Sequence, residues 1–185
     1  MTPALTSERQ ASQLLVIDVQ DKLCGAMPPD ALESVLKNCG ILLQAARLLE
    51  IPAVVTEQYP QGLGPTRAEL IPFLDDVPRV EKTCFSCCDE TAFRSRLSGD
   101  RRQIILAGME SHICVLQTAL QLQGLGKQVF VAEDAVLSRN PAHKANALAR
   151  LRQAGVIVSN TESVVFEWLK VAGGDAFRQI SRLIR

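Results

Sequence analysis

Along this chain, short apolar runs alternate with longer stretches of helical period. "LLVIDV" (Leu14 to Val19) is a near-continuous run of Leu and β-branched residues, as expected for a strand covered on both faces. In "DALESVLKNCGILLQAARLLE", Leu32, Val35, Leu36, Cys39, Leu42, Leu43, Ala46 and Leu49 recur at spacings of three and four and predict an amphipathic helix. The same alternation continues with strands over "AVVTEQ", "RVEKTC", "QIILAG", "QVFVAE" and "VIVSN". Helices are predicted over "TRAELIPFL", "DETAFRSRL" with Asp89 at its start, "HICVLQTALQLQGLG", "PAHKANALARLRQAG" with Pro141 in its first turn, "TESVVFEWLK" with Thr161 as cap, and "DAFRQISRLI". "YPQGLGPT" reads as a loop.

Strand followed by helix, repeated about six times, predicts an α/β fold with a doubly wound, mostly parallel six-stranded sheet in the order 3-2-1-4-5-6 and helices on both faces. No repeat, low-complexity segment or linker divides residues 1–185, so a single domain is expected. Ligands of such sheets bind outside the carboxyl ends of the strands, where the strand order reverses. Those ends read Asp18-Val19-Gln20, Thr56-Glu57-Gln58, Glu81-Lys82-Thr83, Gly108-Met109-Glu110 and Glu133-Asp134.

Composition narrows the classes of function. The 20 basic residues are balanced by 20 acidic ones and aromatics are few, so there is no electrostatic funnel or stacking platform for nucleic acid. No apolar stretch approaches the roughly 20 residues that span a bilayer. "MTPALTSERQAS" lacks the pattern of a signal peptide. The expectation is a cytoplasmic protein with no membrane partner, whose six cysteines are thiols rather than disulfides.

Three strand-end residues carry candidate chemistry. Asp18 places a carboxylate inside an apolar run, where burial demands a partner; a strand-end cap or a structural ion pair is the plain alternative. Lys82 ends "RVEK", and in a strand Glu81 beside it points to the opposite face. Cys114 lies in the first turn of the helix after "QIILAG", where free N–H groups and a nearby Lys would lower a thiol pKa. The N–H groups of Ile113 and Cys114 are candidates to hold an oxyanion. Strands one and four are neighbours in the expected order, which brings Asp18 to Cys114. Strand three is two places from strand one, about 10 Å away, so Lys82 must arch across.

With these residues in place, the sequence resembles the isochorismatase-like cysteine hydrolases. The resemblance runs from about Leu14 to Leu169, with residues 170–185 left as a C-terminal helix. It is carried by "LLVIDVQ", "VEKTCFS" and "GMESHICVLQTA", the last of the type G-x-x-[ST]-x-x-C-V, in the order Asp, Lys, Cys. It implies a catalytic triad of Asp18, Lys82 and Cys114 and a cis peptide between Met109 and Glu110. Nicotinamidase members carry a metal-binding Asp-x-His after the second strand. Here "TEQYPQGLGPT" has no His, which resembles the subgroup named only "isochorismatase domain-containing" and implies no metal and no cofactor. The implied activity is hydrolysis of a small amide-like carbonyl substrate through a covalent thioester. Two alternatives stay open: vinyl-ether hydrolysis that does not need the cysteine, and a non-catalytic redox-responsive or binding protein on the same scaffold. The resemblance also implies a homo-oligomer, dimer or tetramer.

Other features change the picture less. Cys84, Cys87 and Cys88 in "CFSCC" lack the further ligands a zinc site needs, and are weighed as redox-sensitive thiols. Cys24 and Cys39 fit packing. His112 is two residues from Cys114, and helical neighbours two apart do not face each other. Gly62 and Gly64 do not form a dinucleotide loop, but their loop could lid the site, with Tyr59 and Phe85 as substrate-pocket candidates. Trp168 reads as packing, within the chain or between subunits.

Overall fold

A computed structural model describes residues 5–184. Its six strands are β1 (Ser12–Ile17), β2 (Ala53–Gln58), β3 (Arg79–Lys82), β4 (Gln103–Met109), β5 (Gln128–Leu137) and β6 (Ile157–Ser159). They form one sheet in the order β3-β2-β1-β4-β5-β6, and every neighbouring pair is parallel. The expected fold class is the observed one. The helices are α1 (Asp21–Cys24), α2 (Pro29–Leu48), α3 (Pro60–Leu63), α4 (Thr91–Arg94), α5 (Leu116–Gly124), α6 (Pro141–Gln153), α7 (Thr161–Leu169) and α8 (Gly174–Ile184). Among the described residues no helix is long and apolar enough to cross a membrane.

Side chains of a strand alternate between faces, and the core divides accordingly. Leu14 and Val16 of β1 join α2, α7 and α8 on one side, through Cys39, Leu42, Val165, Trp168 and Ile180. Leu15 and Ile17 join α4, α5 and α6 on the other, through Phe93, Leu116, Leu122 and Leu151. Covering both faces explains why β1 and β4 are buried throughout and apolar after their first residues, Ser12 and Gln13 in β1 and Gln103 in β4, rather than alternating. Cys24 and Cys39 pack in the first cluster. Trp168 packs within the chain, its Nε1 donating to Ser12 Oγ at 2.9 Å.

Several elements depart from the expected pattern. The helix predicted over "TRAELIPFL" is only a 3-10 turn, Ile71–Phe73, because Pro72 has no N–H to extend it. The helix predicted from Asp89 begins at Thr91, after a separate 3-10 turn over Cys87–Asp89. Helix α7 is capped by Asn160, whose side chain accepts from the Ser163 N–H, while Thr161 Oγ1 donates to Asp134. The fifth strand does not end at Glu133-Asp134. The β4–β5 register jumps from Leu106↔Val131 to Gly108↔Val136, and β5 resumes through Leu137. Asp134 lies in the resulting bulge, where Oδ1 accepts from Thr161 N and Oγ1 and its carbonyl accepts from Asn38. The carboxyl end of β5 is therefore carried three residues beyond Asp134, to Leu137 opposite Met109.

Gly108 allows β4 to close on β1. Its φ is +109°, and a Cβ there would come within 2.0 Å of the Ile17 carbonyl oxygen.

Candidate active site

The carboxyl ends of β1, β2, β3, β4 and β5 converge at the point where the chain order reverses around β1. Asp18 follows β1 with φ +51°, in the left-handed region that Asp tolerates better than most residues, and this turns the chain out of the sheet. It is fully buried. Its Oδ1 accepts from Thr56 Oγ1 at 2.7 Å, and its Oδ2 meets Lys82 Nζ at 2.7 Å. Lys82 pairs in register with Gln58 of β2, and its extended side chain closes the span to Asp18.

Lys82 is the last residue of β3, whose burial alternates so that Val80 and Lys82 face inward while Glu81 faces out. Its ammonium has no exposure and four oxygen partners. Besides Asp18 these are Gln58 Oε1 at 2.6 Å and the carbonyls of Cys84 and Phe85, each at 3.2 Å. Burial is the largest influence and pushes the Lys82 pKa down, but the Asp18 charge and hydrogen bond, together with the charges of Cys114 and Cys87, hold the group above its usual range. "TCFSC" thus wraps the ammonium with backbone carbonyls. Cys87 and Cys88 are buried and Cys84 is half-buried; all three are free thiols.

Met109–Glu110 is a cis peptide. A wide π-type turn, Ser111–Val115, follows it and leads into α5, with the Val115 N–H reaching five residues back to the Glu110 carbonyl at 3.2 Å. Cys114 lies in this turn, buried beside Asp18 and Lys82. Its thiol departs from expectation. Burial, then the Asp18 charge, push it up to about 12, and Lys82 offsets only part of that. The helix-end effect does not win because the thiol is buried and faces the Asp18 carboxylate. The Ile113 N–H, expected as an oxyanion donor, is engaged by the Glu110 carbonyl at 3.1 Å, since the turn closes on that oxygen. This is a correction for Ile113; only Cys114 N–H remains as a candidate donor.

A pocket of about 340 Å³ opens above these groups, lined by Asp18, Gln58, Cys114, Glu110 and Arg139 with apolar walls of Leu23, Leu63, Phe85 and Ile113. Phe85 is where a pocket residue was expected; Tyr59 is not. Its ring folds back over Gly62, where a Cβ would lie 2.3 Å from ring carbons, and it borders a separate shallow dip of about 170 Å³ beside Glu81 and Glu90. Gln20 holds the loop in place: its Nε2 donates to the Gln58 and Gly64 carbonyls and its Oε1 accepts from Gln58 N. Larger cavities exist elsewhere, notably a groove of about 560 Å³ along α2, but it holds none of these groups.

Sequence reasoning named Gln58 and Glu110 as strand-end residues, Glu110 also in the cis peptide, without placing either in the pocket, and it passed over Arg139. The signal for Arg139 was present in "AVL" after Glu133-Asp134, an apolar run that continues the strand toward the site. His112 is placed outside the pocket, its Nδ1 3.0 Å from Ser138 Oγ and its ring 4.7 Å from the exposed His143. Among the described residues no group of three or more His, Cys, Asp or Glu is gathered as metal ligands would be.

An all-parallel doubly wound sheet with a buried carboxylate, ammonium and thiol at its switch point defines an α/β protein of hydrolase type. The chain belongs to the isochorismatase family, whose domain matches residues 12–163. Isochorismatase domain-containing protein 2 of Danio rerio is 39% identical over 176 residues, covering 95% of this chain and 87% of the relative. The solved structure of the MAR1 ribonuclease from Caenorhabditis elegans is 33% identical with a TM-score of 0.91, covering 97% of this chain and 92% of that one. YcaC from Pseudomonas aeruginosa, solved with hexane-2,5-diol and covalent acrylamide, is 25% identical with a TM-score of 0.86 and covers 97% and 95% of the two chains.

Proposed function

We propose that this protein is a cysteine hydrolase that cleaves a C–N bond in a small amide-like substrate, with Cys114 as nucleophile, Asp18 as general base and acid, and Lys82 as the cation that holds Asp18. The observation that carries the reading is a neutral, buried thiol next to a carboxylate in one pocket. With its pKa pushed up to about 12, Cys114 does not rest as a thiolate near neutral pH. Its proton must leave as the bond forms, and Asp18 is the adjacent acceptor.

The steps balance as follows. Cys114 Sγ adds to the carbonyl carbon while its proton moves to Asp18, and the oxyanion forms near the Cys114 N–H. The tetrahedral intermediate collapses, the C–N bond breaks, and Asp18 returns the proton to the departing nitrogen. Water then adds to the thioester, giving a proton to Asp18. The C–S bond breaks, and that proton restores the thiol. Lys82 holds the Asp18 carboxyl in position between transfers through the 2.7 Å contact. The covalent acrylamide in the Pseudomonas aeruginosa relative supports a reactive nucleophile in a fold of this kind; a thiol adds to the vinyl carbon of acrylamide, so it bears on the nucleophile and not on the scissile bond.

The test is a screen of small amides with wild type, Cys114→Ala and Asp18→Asn, trapping the acyl-enzyme by mass. Cys114→Ala should abolish turnover and the adduct, and Asp18→Asn should slow turnover about 10²- to 10⁴-fold. Turnover that survives Cys114→Ala would replace this reading with vinyl-ether hydrolysis. The activity named for the Caenorhabditis elegans relative makes an RNA substrate the other arm of the screen. Against that arm stand the balanced charge of the chain and the apolar pocket walls. A protein that turns over nothing but oxidises reversibly at Cys84 would be redox-responsive instead.

A further inference from the structure

We propose that His112 and His143 form a two-histidine site for a zinc-like divalent cation, outside the Cys114 pocket, and that the ion clips α6 to the turn that carries Cys114. The site stands apart from the hydrolase reading, and its test needs no substrate.

The chain has only 2 histidines, and the fold brings them together from distant parts of the sequence. His112 lies in the turn Ser111–Val115 after β4, and His143 in the first turn of α6. Their ring centroids are 4.7 Å apart and their planes are tilted by 46°. Two imidazoles on one ion, with metal–nitrogen bonds of about 2.0–2.1 Å at an angle of roughly 90–110°, have centroids about 4.5–5 Å apart. The observed spacing falls within that range. One ring is already oriented. Ser138, fully buried just past β5, has its Oγ 3.0 Å from His112 Nδ1. An Nδ1–H donated to that hydroxyl leaves Nε2 with its lone pair free, the tautomer and supporting partner that metal-bound histidines commonly have. His143 is exposed, and among the described residues its ring has no hydrogen-bond partner.

The ligand type selects the ion. Imidazole nitrogen suits zinc, nickel or copper, whereas magnesium and calcium take oxygen. Among the described residues no third His, Cys, Asp or Glu is gathered with this pair, so water fills the remaining positions and the ion exchanges freely. Glu110 and Arg139 act on His112 with opposite sign, and they meet each other in an ion pair at 3.0 Å, so together they neither draw in nor repel a cation strongly. An ion held here joins two elements: the turn that follows the cis peptide and holds Cys114, and the first turn of α6 beyond β5. Its position is not that of the nicotinamidase members, whose metal ligands follow the second strand.

The test titrates zinc chloride into the full chain, first stripped with a chelator, by calorimetry at pH 7. Wild type should take up one ion per chain and unfold at a higher temperature with zinc than without. His112→Gln and His143→Gln should each weaken uptake about tenfold or more, since losing even a ligand's supporting partner costs that much, and should remove the thermal shift. The exposed His143→Gln decides the matter if His112→Gln does not fold. Magnesium at the same concentration should produce neither effect. Thiols also hold zinc, so the titration is repeated with Cys84→Ser and with Cys114→Ala, where uptake should persist. No uptake by wild type, uptake that His143→Gln weakens less than tenfold, uptake lost with Cys84→Ser or Cys114→Ala, or an equal response to magnesium overturns the proposal.

Discussion

Removing the Lys82 ammonium probes the energetics of the site most directly. In Lys82→Met the stem is kept and the charge lost, leaving Asp18 fully buried with only the neutral Thr56 hydroxyl and Cys114 thiol as side-chain partners. Breaking a buried ion pair by removing one partner costs about 3–5 kcal/mol, because the other charge is left uncompensated. Both side chains here have no exposure and meet at 2.7 Å, so the full range applies. The acceptors released at Gln58, Cys84 and Phe85 push the cost toward its upper end. Adding Asp18→Asn removes the orphaned charge and should recover about 1–3 kcal/mol, which is the coupling expected of residues in direct contact. Urea unfolding at pH 7 of wild type, the two single variants and the double variant gives that coupling. A Lys82→Met cost below about 1 kcal/mol, or strictly additive single effects, would mean that the pair does not stabilise the fold as its burial and distance require.

Two further predictions concern the scaffold. Gly108→Ala places a Cβ 2.0 Å from the Ile17 carbonyl oxygen at a positive φ, so β4 must part from β1; the variant should lose about 3 kcal/mol or more in urea unfolding or fail to accumulate folded, and a wild-type midpoint would refute the close approach. Burial pushes the thiols of Cys39, Cys87 and Cys114 each up to about 12, above the ordinary value of 9.0. A folded pKa raised in this way contributes stability that is complete below about pH 9 and is lost as pH rises toward 12, at up to about 1.4 kcal/mol per pH unit for each thiol. Stability measured between pH 9 and 10.5 should therefore fall steeply, and less steeply in Cys39→Ala; identical slopes would remove Cys39 from that account.

The period of the apolar pattern determined the strands, their helices and, through the right-handed crossover rule, the strand order, because these depend on local sequence and on covering both sheet faces. The positions of Asp18, Lys82 and Cys114 followed, since residues at the carboxyl ends of parallel strands meet wherever the order reverses. Tertiary structure decided the rest. Lys82 could be judged near Asp18 only once Gln58 and the Cys84 and Phe85 carbonyls enclosed its ammonium. The direction of the Cys114 shift is set first by burial of the thiol and then by the Asp18 charge, neither of which spacing encodes. Tyr59 was expected in the pocket because its loop lies there, but a loop residue points where local packing sends it, here over Gly62. Arg139 was missed because Glu133-Asp134 has the composition of a strand end, whereas the bulge in β5 carries the strand past it. Local pattern thus specifies which backbone ends converge on the site; the charge pairing and side-chain directions there are set by neighbours distant in sequence, and only the folded chain brings those neighbours together.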